Sequence, residues 1–276
     1  MRNPVIAVCL STLITLSTPL IAADTQPPTT HTQTQSTLNQ LFLMRLATQR
    51  SIGAFYMFNN QEQDQRYAKT AADNASQAAR YLQGLAAPQS ADGQTLKAQL
   101  TNDFSDYNRQ LERLIGAIQE RGYSDLQPVA NLALLNSSIL KNSQELTQLI
   151  AQEQQYTTPE LTQLAREQSL LMQSIAADYA ARSASVGASF FADGEKQPLD
   201  QLSELFARNL AIMQNHSGNN PDINKSLRAI EVKWRYIESS LKNYNENSVP
   251  FVIDKFARSI TQSLEQIAAQ YALLNI

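Results

Sequence analysis

Four residues within six positions hold the most conspicuous donor chemistry of this chain: Arg45, Thr48, Gln49 and Arg50. A guanidinium is a planar fork of N–H donors, and with a hydroxyl and a primary amide one turn away it suits a small oxyanion or carboxylate. Leu38, Leu41, Arg45, Thr48, Ile52 and Phe55 follow alternating spacings of three and four. They form one helical seam, apolar except at Arg45 and Thr48. Gln49 lies one turn from Arg45, and Arg50 sits beside Leu46 and Ala54. A guanidinium set in apolar surface needs a counter-charge, because an unpaired buried charge costs several kcal/mol. Two partners are open: an internal Asp or Glu, or an anionic ligand.

Groups suited to catalysis are scarce. Cys9 falls in the N-terminal apolar run, His31 lies in a Thr, Gln and Pro stretch, and His216 sits in the polar loop 215–220 with no acid at metal-ligand spacing. The paired Glu-x-x-His motifs of di-iron bundles, Gly-rich phosphate loops and nucleophile elbows are all missing. The expectation is a protein that binds or senses, with no enzyme activity, no metal and no cofactor. A net charge of −3, with both signs mixed along the chain and no basic cluster, argues against nucleic acid as a partner.

A second group of interest is aromatic: Trp234, Tyr236 and Tyr244, followed by Val249, Pro250 and Phe251. Trp234, Ile237 and Leu241 share helical spacing and read first as core. A hairpin that docks a partner through Trp234, Tyr236 and Tyr244 is the weaker reading.

The elements that must position these residues are helices. Gly and Pro are scarce and separate long runs rich in Ala, Leu, Gln, Glu and Arg, and strand patterns are nearly absent. Eight helices are predicted, at 37–58, 62–85, 95–121, 125–153, 158–188, 198–215, 221–245 and 248–276. Gly122 marks a C-cap, and Thr158, Pro159 and Glu160 mark a start. The two halves look like copies: Leu46, Ala47, Thr48, Gln49 aligns with Leu170, Leu171, Met172, Gln173, and the same shift carries Asp125 to Val249. The fold expected is therefore all-α, a duplicated up-and-down four-helix bundle with repeats at 37–156 and 157–276, each folding on its own core. Its seams include Leu100, Phe104, Tyr107, Leu111 and Leu114.

Ahead of the repeats, Met1 and Arg2, an apolar run from Val5 to Leu16 and small residues at Ala22 and Ala23 form the pattern of a secretory signal peptide, residues 1–23. Residues 24–36 read as a flexible leader. The mature chain would then lack cysteine and a transmembrane helix, and would be periplasmic or secreted.

The stretch Arg45, Leu46, Ala47, Thr48, Gln49, Arg50 resembles the Arg-Met-Leu-Ser-Gln-Arg signature in the periplasmic sensor domain of type IV pili methyl-accepting chemotaxis proteins, which is related to nitrate-sensing domains of histidine kinases. Residues 164–179 look like a degenerate second copy, with Ser169 and Ser174 where arginines would stand, and Leu46 replaces the usual Met. The resemblance implies a helical sensor in which Arg45 contacts a small anion, often at a dimer interface, and it leaves a homodimer open. The transmembrane helix and signalling region of a chemoreceptor are absent. A stand-alone copy would have to capture a ligand or touch an envelope receptor. The rival expectation is a structural or adaptor protein docking a type IV pilus or chemosensory complex, with Arg45 merely salt-bridged.

Overall fold

Runs of Ala, Leu, Gln and Glu broken only at caps give eight helices and no strand among the residues that the structure, a computed structural model, describes: 30–60, 63–184, 198–244 and 248–276. They are α1 (Thr30–Asn60), α2 (Gln65–Gln83), α3 (Ala91–Arg121), α4 (Leu126–Glu153), α5 (Glu160–Ala184), α6 (Leu199–Gln214), α7 (Pro221–Lys242) and α8 (Pro250–Leu274). No helix among the described residues is long and apolar enough to cross a membrane. The signal segment 1–23, the start of the leader and the expected stop at Asn245 lie outside the described residues.

Cap chemistry sets most boundaries. Gly122 adopts φ 82°, and its N–H returns to Ile118 O at 2.9 Å, closing α3 in the left-handed conformation that only glycine takes without strain. Asn220 accepts from Ile223 N at 2.9 Å, with Pro221 opening α7. Ser90 does the same for Gly93 N at 3.0 Å, so α3 begins four residues before the expected Thr95. The larger departure is at α1, which starts at Thr30 and takes in most of the supposed leader. Thr34 and Thr37 are buried there, and the His31 ring lies 6.1 Å from that of Tyr156. Packing against the end of α4 supplies what the local sequence lacks.

Contacts between helices close two rings. α1 to α4 pack as 1·2, 2·3, 3·4 and 1·4, and α5 to α8 repeat that order. Each ring has a core, one holding Leu100, Phe104, Tyr107, Leu111 and Leu114, the other Phe206, Trp234, Ile237 and Leu241. The rings meet where α1 packs on α5. Arg166 donates to Asn39 Oδ1 at 3.1 Å, Gln49 donates to Ser174 Oγ at 3.2 Å, and Gly53 faces Ala177. The sequence separation stays near 125 residues while both helices advance, so α1 and α5 run parallel. From Leu41 to Phe58, burial goes nearly all round α1, because α2, α4 and α5 surround it. Ala177 and Ala180 of α5 belong to the first ring's core, so the halves share a boundary that the expectation of separate cores did not include.

Glycine positions separate what backbone and space permit. A Cβ built at Gly116 meets nothing within 4 Å, so Gly116→Ala is expected to stabilise the protein by about 1 kcal/mol through helix propensity. At Gly93 the same atom would lie 2.6 Å from Pro88 Cβ, so Gly93→Ala is expected to destabilise. Urea unfolding of the two variants checks both signs.

On one side of the α1·α5 pair, α8 reaches the first ring. Arg50 forms a two-pronged bridge to Glu265, and Tyr67 donates to Asp254 Oδ2 at 3.0 Å. Burial pushes the Asp254 carboxyl above its ordinary value, although Arg258 at 2.8 Å and the Tyr67 hydroxyl both pull it down. Ionising Asp254 is therefore harder folded than unfolded. Its contribution is absent well below the carboxylate range and becomes a loss of stability as pH rises through it. Asp254→Asn should remove that segment of the pH profile. Melting temperatures of both proteins from about pH 3 to pH 7 test it.

Candidate functional site

The four candidate ligand residues do not share one site. Thr48 is fully buried, and its hydroxyl donates to Met44 O of its own helix at 2.8 Å. Such a back-bond satisfies the donor and turns it from any ligand. Arg50 points toward α8, where Glu265 occupies its fork. Gln49 is buried against α5 through Ser174.

Arg45 differs from all three. It is half-buried, its Nε is enclosed without a hydrogen-bond partner, and it forms no ion pair among the described residues. Burial pulls its pKa down to about 10, partly opposed by the charge of Glu167 on α5. Nearby on the same seam, Arg166 is buried, its Nε is also unpartnered, and its guanidinium lies over the Phe42 ring at 5.6 Å. Its pKa too is lowered by burial. Two guanidiniums are thus drawn into the α1·α5 seam, with no carboxylate bridge to either among the described residues. Of the two partners left open for Arg45 by the sequence, an internal salt bridge is not formed among the described residues.

The same face of α1, continued past Arg45 through Gln49, Ile52 and Tyr56, lines a cleft of about 220 Å³ between α1, α4, α5 and α6. Its polar wall is Gln49, Tyr56, Asn136, Ser137, Ser174 and Asp178. Asn136 is 6% exposed, and its enclosed Oδ1 has no partner among the described residues. The Tyr56 hydroxyl is pushed up by burial and by the nearby Asp178 charge, so it stays protonated as a donor. Asn136, Asp178 and Tyr56 did not emerge from the sequence, where attention fell on cations and histidines. The repeat itself held the signal: the shift that carries Asp125 to Val249 carries Asn136 to Ile260.

The aromatic candidates also separate. Trp234 is 3% exposed and stacks on Phe206 at 4.4 Å between centroids, so it belongs to the second core and is not available for docking. Tyr244 lies partly buried beneath the Arg182 guanidinium at 4.7 Å. Tyr236 alone is open, 64% exposed beside Phe256. His216 accepts from Gly218 N at 3.0 Å within its loop, and no cluster of three or more His, Cys, Asp or Glu suited to a metal occurs among the described residues.

Comparison with known protein families, curated proteins and solved structures finds no match.

Proposed function

We propose that this chain is an exported, ligand-binding or sensory accessory protein of the bacterial envelope that takes up a small anion at Arg45. The observation that carries this reading is the Arg45 guanidinium: drawn into the seam, without an ion pair among the described residues, and with Nε unpartnered. A half-buried cation with no counter-charge among the described residues favours an anion that supplies one. Arg166 adds positive charge to the same helix pair. The resemblance of residues 45–50 to a chemoreceptor sensor signature points the same way. Export and a periplasmic location rest on the signal-peptide pattern of residues 1–23.

Packing of α5 along α1 also bears on oligomeric state under this reading. In a two-chain sensor the signature helix would meet its copy from another subunit. Here the degenerate copy of the same chain lies parallel to it at near-constant register, which supports descent from a duplication in which the second repeat takes the partner's place. A homodimer through α1 is then unnecessary.

A thermal-shift screen of nitrate, phosphate, sulfate and acetate tests the anion reading, since a ligand selective for the native state raises its melting temperature. The adaptor reading has one observation in its favour, the exposure of Val232 and Tyr236 one turn apart on α7. It expects no response to any anion and capture of an envelope component that Tyr236→Ala abolishes.

A further inference from the structure

Beside its core seam, α7 carries a second run at alternating spacings of three and four: Ser226, Ala229, Lys233, Tyr236 and Ser240. On α8 the matching run is Val252, Phe256, Ser259 and Ser263. The two runs meet at the Tyr236 and Phe256 rings, whose centroids lie 4.7 Å apart. None of these residues is buried, and α6 and α8 are the helices packed on α7, so the outer groove of the α7·α8 pair has no third helix over it among the described residues. The charges beside it are unlike those of the rest of the chain. Elsewhere exposed cations are matched by acids three or four residues away, as Lys69 is by Asp73, Arg109 by Asp106 and Lys141 by Glu145. Lys225, Arg228, Lys233 and Lys255 form no ion pair among the described residues. The acids of these two helices are turned to other partners: Glu231 to Gln214 and Arg235, Glu238 to Lys242, Asp254 to Tyr67 and Arg258, and Glu265 to Arg50. Only Asp222, at the N-terminal end of α7, is left to oppose the cations. A chain of net charge −3 thus presents one positive face.

We propose that this groove docks an amphipathic helix of an acidic protein partner, its apolar side chains seated against Val232, Tyr236 and Phe256 and its carboxylates over Lys225, Arg228, Lys233 and Lys255. A helix laid along the groove between two others repeats the packing that builds the bundle. Val232 and Tyr236, exposed by 71% and 64% and one turn apart, supply its apolar crest. A tyrosine offers a large contact at low cost in side-chain entropy, and the unpaired cations around it speed the approach of an acidic partner and oppose a basic one. A membrane surface suits the face less well. The Phe256 ring is half-buried and packed against the second core, where a helix lying in the groove touches it and a flat lipid surface does not. The groove belongs to the second ring, away from Arg45 on α1, so the proposal does not rest on the anion reading.

The probe is a fluorescent helical peptide with leucines along one face and glutamates flanking them, titrated into the full chain and read by anisotropy. The same peptide with lysines in place of the glutamates, and vesicles of phosphatidylglycerol, are the comparisons. The glutamate peptide is expected to bind saturably and to weaken as salt is added, and the lysine peptide and the vesicles not to bind. Lys233→Glu combined with Lys255→Glu should weaken the glutamate peptide about tenfold or more and admit the lysine peptide. Tyr236→Ser should weaken binding by a similar factor. Arg113→Glu, which reverses an exposed cation on α3 that also lacks an ion pair among the described residues, should leave binding intact, as should Arg45→Met. Circular dichroism of each variant separates lost binding from lost folding. No binding of the glutamate peptide, an equal loss in Arg113→Glu, undiminished binding in a folded Tyr236→Ser, or binding to the vesicles in place of the peptide would each overturn the proposal. A failed anion screen bears on Arg45 alone.

Discussion

Arg45→Met is expected to abolish the thermal shift given by the responding anion while leaving the melting temperature of the unliganded protein nearly unchanged. Met keeps the length and apolar contacts of the Arg stem and removes only the guanidinium. In the folded chain that group has an enclosed Nε without a partner, and burial already disfavours its charge. Losing it therefore costs little. A salt-bridged arginine behaves otherwise, since removing one member of a buried pair costs roughly 3 to 5 kcal/mol. Glu167 is the carboxylate whose charge acts on Arg45, and it is exposed. Glu167→Gln should accordingly leave both stability and the anion response close to wild type. Arg45→Lys should restore only part of the response, because a point charge lacks the forked contact. A loss of several kcal/mol in unliganded Arg45→Met, with no wild-type anion response, would sink the sensory reading and favour the adaptor.

Local rules made much of the architecture legible before any coordinates. Gly122, the start of α7 at Pro221, and the apolar seam from Leu100 to Leu114 stand where spacing and cap chemistry put them. Three features were not legible, each for a physical reason. Thr30 to Ser36 has modest helix propensity, and only contacts such as His31 with Tyr156, distant in sequence, justify its helix. Arg50 looked equivalent to Arg45 on one short motif, yet its partner Glu265 lies 215 residues away on α8. Thr48 has the right position on the seam and the wrong direction, because its hydroxyl bonds back to Met44.

Periodicity names the faces of a helix but not which neighbour covers each one. For α1 that distinction is decisive: the consecutive residues Gln49, Arg50 and Ser51 bond to α5, α8 and α2 in turn. The polar cleft was hidden for a related reason. Asn136 and Asp178 are unremarkable in helical sequence, and only the folded bundle brings α4 and α5 to one cleft.

Division of the chain at Tyr156 is expected to yield two halves that fold poorly apart and recover together. The first half contains a closed ring of four helices, but its central helix is buried on the α5 side as well. Removing the second half would expose Gln49, Gly53 and the core surface that Ala177 and Ala180 of α5 cover, and would strip Arg50 of Glu265 on α8. A second copy of α1 is a poor substitute for α5. The alignment of the repeats would place Arg50 where Ser174 accepts from Gln49, and Arg45 where Ser169 is fully buried. Two unmatched guanidiniums per copy in that seam would oppose homodimerisation. The fragment 30–156 alone should therefore show reduced helicity and a broad unfolding transition, whereas mixing it with 157–276 should restore a cooperative transition and a one-to-one complex. Circular dichroism and sedimentation of each fragment and of the mixture make the comparison. A first half that unfolds cooperatively as a monomer at the melting temperature of the whole chain would show that the α1·α5 seam adds nothing, and that the two rings are independent domains after all.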